Sequence, residues 1–480
     1  MTASTSLGIP ELAGICSYEA AARVGYSVEE NVRRLLRYQW VEQRLLGIAV
    51  AHLARTPEWE VKCGLSLHQW QDAEHADAIR RRIGEMRTPV PRLDVAPDPA
   101  LEAFLEEVLR AVDTVELLVG LYRVTRARLA AAYAEHLAAT NPLVDQPTRR
   151  VVRLALLEEE EALAWGERAL DAVIAGDAGA AARAAGWETH LVAYLDAAGG
   201  IAGSGAGGGD AGGEEAEGRL SDRGETVVPP PPPPPRAGTP FVPDFHPRRD
   251  LRFHGRYNFN FPPHLVYKAR SVPPDERNLA LLCKRTLEMD VPEMMASVMT
   301  ERRDLPWEFR RDYARQLWDE CRHAMMGSVA FEARGLDWTR IPLNVSFALR
   351  LNLHATAFER QVMLYAIEQS LMAGATGKRF EYETALAAGD ALSAHFHDYN
   401  WADEVLHASI GRRWMKHDGV TSRAAVEQAA EVDARTWAAL SRYTHLDEQR
   451  DWWGEFVRYA LDRESTVNVE ELGELKVIGG

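Results

Sequence analysis

The sequence predicts an all-α protein of two tandem four-helix bundles joined by a glycine- and proline-rich linker. Three observations carry this expectation. Long segments such as ENVRRLLRYQWVEQRLLGIAVAHLA and PLNVSFALRLNLHATAFERQVMLYAIEQSLM place apolar residues at helical spacing with few β-branched alternations. A chain of 480 residues exceeds the roughly 250–300 residues at which a single core stops growing, so two domains are expected. A tract of altered composition divides it, glycine-rich and acidic in GGIAGSGAGGGDAGGEEAEG and proline-rich in VVPPPPPPPRAGTP.

In chain order, the first helical domain is expected at 20–198. The linker follows at 199–240: its glycine-rich half cannot build a core and is expected to be disordered, and its polyproline half reads as a stiff spacer. The second domain is expected at 241–463. It opens on the arm RFHGRYNFNFPPHLVY, aromatic and broken by proline, which suits a segment wrapped on the domain better than a helix. The tail, 464–480, carries no readable pattern.

Acidic residues outnumber basic ones 71 to 55, for a net charge of −16. No basic field is available to attract a polyanion, so nucleic acid is not an expected partner. The four cysteines, Cys16, Cys63, Cys283 and Cys321, are scattered without a Cys-x-x-Cys pair. That excludes a disulfide framework or zinc knuckle and fits a reducing, cytoplasmic compartment. The first residues, MTASTSLGIPELAGIC, lack the features of a signal peptide, and no run approaches the ~18 apolar residues of a membrane helix.

An internal repeat carries the functional reading. WQDAEHA at 70–76 matches WDECRHA at 318–324, VELLVGLY at 115–122 matches FERQVMLY at 358–365, and EEEALAWGER from Glu159 matches EVLHASIGRR from Glu404. The three matches occur in the same order at nearly the same separation, as a duplicated helical unit requires. In the second copy the acidic and imidazole residues run Glu288, Glu320-x-x-His323, Glu359, Glu404-x-x-His407. A lone Glu-x-x-His is an ordinary helix face. Two of them, with a glutamate from each of two further helices, would bring four carboxylates and two imidazoles to a bundle centre, because residues three apart share a helix face.

On these motifs the chain resembles the ferritin-like superfamily, and within it the non-haem di-iron carboxylate proteins. The resemblance covers both helical domains. It implies Glu288 and Glu359 as single helical ligands, the two Glu-x-x-His pairs as the remaining four, and Glu320 with Glu359 or Glu404 as bridging carboxylates. It implies a cofactor of two iron ions, with manganese or a mixed manganese/iron pair as alternatives, and dioxygen and a small-molecule substrate as partners. The electron donor is left open, and a homodimer is compatible with the pattern. The activity implied is that of an oxidase or oxygenase; a ferroxidase or metal-storage protein and a non-catalytic helical scaffold are the alternatives.

The first copy departs from the pattern. It offers Glu42, Asp72, His75, Glu116 and Glu159, but Ala162 stands where the last histidine would fall. A degenerate site is therefore expected there. In the second copy Glu368 competes with Glu359, and the two cannot both ligate because nine positions put them on opposite faces. The repeat match to Glu116 favours Glu359. Glu288 is preferred to Glu293 for its apolar flank. His68, His354, His395 and His397 are expected in the core or beside the site, the matching Tyr122 and Tyr365 suit packing at least as well as a redox role, and GATGKRF at 374–380 is expected as a turn between helices.

Overall fold

The computed structural model describes residues 8–175, 177–203, 219–220, 226–227, 233–236, 240–374 and 376–467. Helix dominates among them, and no helix is long and apolar enough to cross a membrane. Most of the linker expected at 199–240, and the end of the tail expected at 464–480, lie outside the described residues. Within the linker, Arg219–Leu220 and Thr226–Val227 form a two-residue antiparallel ladder.

The chain divides into two compact units, 1–48 with 71–242, and 49–70 with 243–480. The expected boundaries therefore need correction. Residues 49–70, assigned by sequence to the first domain, belong with the second unit. Packing accounts for it: the Lys62 ammonium is buried in an ion pair with Glu293, Gln69 donates to the Ala314 carbonyl at 2.8 Å, and the Trp59 ring lies against Phe253 and Trp338. The arm from Pro243 also folds onto this unit, where Arg249 bonds Asp290 and Glu293. Helical periodicity reports which face of a helix is apolar but not which partner covers it.

In the first unit the principal helices are α1 (Val28–Leu53, of which 28–48 belong here), α2 (Trp59–Met86, from 71 onward), α3 (Pro99–Leu109), α4, α5 (Gln146–Ile174) and α6 (Ala178–Ala197). Helix α4 is composite. It runs through Thr114–Leu118, a π-helical stretch Val119–Arg126, and Ala127–Ala139. Such a stretch admits one extra residue into a helix and turns the following side chains accordingly. Helix α5 packs along α4, and α6 packs on α3 and on the π-helical part of α4.

In the second unit the helices are α7 (Pro274–Leu287), α8 (Asp290–Glu301), α9 (Trp307–Glu332), α10 (Ser346–His354), α11 (Ala357–Leu371), α12 (Lys378–Ala387), α13 (Ala391–His417), α14 (Ser422–Ala439) and α15 (Trp453–Leu461). Helix α9 packs against α8 and α13, and α11 against the same two; α12 lies along α13 and α7. Starts are fixed by side-chain caps, Thr356 with Glu359 on α11 and Asp390 on α13. Gly327 lets α9 approach α7 closely, since a Cβ there would stand 2.7 Å from the Thr286 backbone nitrogen. This contact brings the α9 ligand face toward the end of α7.

Candidate metal centres

Each unit contains a buried cluster of carboxylates and imidazole. In the second unit, Glu320 and His323 project from α9, Glu404 and His407 from α13, Glu368 from the last turn of α11, and Glu288 from the C-cap of α7. One ligand atom from each of Glu320, Glu368, Glu404 and His407 lies within 4.8 Å of the others, and the same holds for Glu288, Glu320 and His323. Glu320 belongs to both groups. Glu404 also reaches across, 3.3 Å from His407 Nδ1 and 3.8 Å from His323 Nδ1.

Each imidazole is held from behind by an aspartate of the opposite helix. His323 Nε2 lies 3.1 Å from Asp403, and His407 Nε2 lies 3.3 Å from Asp319. An ionised carboxylate only accepts, so in the neutral imidazole Nε2 carries the proton and Nδ1 turns its lone pair inward. Because Asp319 and Asp403 immediately precede Glu320 and Glu404, the motif is Asp-Glu-x-x-His on both helices. The repetition of the aspartate was readable in the sequence and marks the residues that orient the histidines.

Charge in the cluster is unevenly compensated. Burial pushes the Glu404 carboxyl up, but the Lys378 ammonium, 2.8 Å away, and His407 hold it well below the usual range. Burial and the charges of Glu404 and Glu320 push Glu368 well above it, and Glu368 Oε2 makes no hydrogen bond. Burial favours neutral His407, yet Asp319, Glu320 and Glu404 outweigh it and raise its pKa well above that of free histidine. Carboxylate oxygens and imidazole nitrogens in this mixture suit a divalent cation, which would also satisfy the unpaired oxygen. Glu368, His407 and His323 all bind protons more readily than the free groups, and an ion must compete with those protons. Ion affinity is therefore expected to fall as pH is lowered from 8 to 6, with protons released on binding. Chelator competition across that range checks this; a pH-independent affinity would contradict it.

Of the six residues expected to ligate in this unit, the structure brings together Glu288, Glu320, His323, Glu404 and His407, and not Glu359. Glu359 occupies the third position of α11, where it accepts from the Thr356 backbone N–H at 2.7 Å and pairs with Arg435. It is a helix-capping residue. Glu116, its match in the first unit, also stands at the third position of its helix, accepting from the Val112 N–H at 3.0 Å and pairing with Arg236. The repeat thus preserved a helix start, and Glu368, on the opposite face nine positions on, is the residue that faces the cluster. Glu293 lies elsewhere, bonded to Lys62 and Arg249.

The remaining candidates fall outside the ligand groups. His354 bonds the Tyr443 hydroxyl and His395 lies edge-on to Tyr399. His397 is buried with its Nδ1 3.8 Å from Glu381, and His68 is buried. Tyr122 and Tyr365 pack against Gly166 and Gly411, as expected of core residues. Of the segment expected as a turn, Lys378–Phe380 instead open α12, and Lys378 enters the cluster unforeseen; nothing in its local pattern distinguishes it from a surface lysine.

In the first unit, ligand atoms of Glu42 on α1, Asp72 and His75 on α2, and Glu159 on α5 converge within 4.8 Å. His75 Nε2 is held by Glu158 at 2.7 Å, the residue preceding Glu159, as Asp403 precedes Glu404. Ala162 is buried on the same helix. The Arg126 guanidinium donates to Asp72 at 2.8 Å and to Glu159 at 2.6 Å. With a fixed cation on two of three carboxylates, and no second imidazole, this set does not fit a pair of metal ions. Comparison of the chain with known protein families, with characterised proteins and with solved structures finds no match.

Proposed function

We propose that the second unit is a non-haem di-iron carboxylate oxidase or oxygenase of ferritin-like architecture, acting on a small organic substrate. The observation that carries this reading is Glu320, shared between two groups of ligands that each include one imidazole and are buried except for the half-buried Glu288, which also pairs with Arg285. Two ions held by a shared carboxylate need this arrangement. The mutual packing of α8, α9, α11 and α13 supports a four-helix frame around it. Glu288, Glu320 and His323 would hold one ion, and Glu320, Glu368, Glu404 and His407 the other. A reduced iron pair, when bound, supplies electrons for dioxygen activation. Manganese or a mixed pair would use the same ligands.

The chain's own part is positioning and charge. Asp319 and Asp403 fix the ring planes and keep each Nδ1 free to ligate. Lys378 neutralises Glu404 and ties it to Asn400, at 2.7 Å, so that this carboxylate keeps its place when the ion load changes. Buried Met295, Val362 and the aliphatic and aromatic residues around them exclude water from the helix interior.

Aerobic titration of the full chain with ferrous iron tests the reading. Binding by the second unit is expected to stop at about two ions, as counted in the difference between the wild type and Glu320→Gln. Accumulation of tens of ferric ions per chain would instead identify a storage protein. Absence of iron binding would leave only a helical scaffold.

A further inference from the structure

We infer that the first unit holds one divalent cation among Glu42, Asp72, His75 and Glu159, with the Arg126 guanidinium occupying the place of a second. The single ion is argued from groups of the first unit alone, whereas the assignment of Arg126 to a second position rests on the proposed reading of the second unit.

Each of the three carboxylates has one oxygen tied and one free. Tyr133 donates to Glu42 Oε1 at 2.6 Å, and Arg126 donates to Asp72 Oδ2 and Glu159 Oε1. Glu42 Oε2, Asp72 Oδ1 and Glu159 Oε2 make no hydrogen bond, and neither does His75 Nδ1. All four side chains are more than nine-tenths buried. Leaving so many buried acceptors unpaired is costly. With Nε2 held by Glu158, His75 Nδ1 faces Glu42 Oε1, 3.3 Å away, and Glu159 Oε1, 3.8 Å away. In a dry site these acceptors repel one another unless a cation, a proton on Nδ1 or a metal ion, stands among them.

Charge gives the number of ions. Three carboxylates and one guanidinium sum to two negative charges, which one divalent ion neutralises; a second would leave the interior doubly positive. Three oxygens and one imidazole nitrogen form a four-donor set that zinc, ferrous iron or manganese accepts.

Helix geometry explains how an arginine came to stand there. Tyr122 packs against Gly166 as Tyr365 packs against Gly411, which fixes the register of the two copies. From Tyr365 the cluster residue Glu368 is three positions on; from Tyr122 the cluster residue Arg126 is four positions on. The π-helical stretch Val119–Arg126 absorbs the extra residue. Arg126 is thus the counterpart of Glu368, with the opposite charge.

The test strips the full chain with chelator, reloads it with zinc alone, removes free metal by gel filtration and counts ions per chain. Asp72→Asn and His75→Gln, each checked for helix content by circular dichroism, are expected to bind one ion fewer than the wild type. His407→Ala serves as the separate reporter of the second unit, so a failure there is distinguishable from a failure here. The double variant Arg126→Glu/Ala162→His, which supplies the missing carboxylate and imidazole, is expected to gain one ion. Equal counts in the wild type, Asp72→Asn and His75→Gln would overturn the inference and leave a cluster neutralised by Arg126 and a protonated His75. A folded double variant that gains no ion would overturn the assignment of Arg126 to the second position.

Discussion

Residues 241–480 produced without the rest of the chain are expected to lose cooperative folding, although they contain every ligand of the second cluster. The missing segment, 49–70, supplies Lys62 to the buried Glu293 and Trp59 to the aromatic contact with Phe253 and Trp338. Breaking a buried ion pair from one side costs about 3–5 kcal/mol, and deleting a buried tryptophan about 3–5 kcal/mol more. Arg249 still pairs with Glu293, which lowers the first figure. Even so, the loss is comparable to the ~5–15 kcal/mol by which domains are stable. Thermal unfolding followed by circular dichroism, compared with the full chain, measures it. A sharp transition at the temperature of the full chain would contradict the assignment of 49–70 to this unit.

Glu320→Gln and Glu359→Gln are expected to separate widely in ion binding. Glu320 is the ligand common to both groups, so its neutral amide weakens both positions and should remove both ions at stoichiometric loading. Glu359 caps α11 outside the ligand groups; a glutamine there still accepts from the Thr356 N–H, so its replacement should leave the ion count unchanged and cost only about 0–1 kcal/mol through the lost Arg435 pair. Asp403→Asn falls between. It keeps every ligand but releases His323 from its orienting partner, for which a loss of about 10–100-fold in affinity is expected. Calorimetric titration with ferrous iron under nitrogen, or with manganese in air, reads all three. Loss of ions on Glu359→Gln together with retention on Glu320→Gln would restore the ligand set suggested by the repeat.

What the sequence determined by itself was the helical class and most of the second cluster. Both followed from periodicity, a local property: three-residue spacing commits Glu320 with His323, and Glu404 with His407, to one face each whatever surrounds them. The sequence repeat was legible for the same reason, and with it Ala162 at the position that His407 holds in the second copy. Tertiary structure alone decided which single carboxylates complete each cluster. A glutamate retained in both copies served the helix start, where capping needs it locally, while Glu368 and Arg126 took corresponding places despite opposite charge, one of them shifted by a π-helical residue. Tertiary structure also decided that Lys62 pairs with Glu293, Lys378 with Glu404, and Asp319 with a histidine of the opposite helix. Those contacts join residues far apart in the chain, and their energies depend on burial and on the distance between charges, neither of which a linear pattern records.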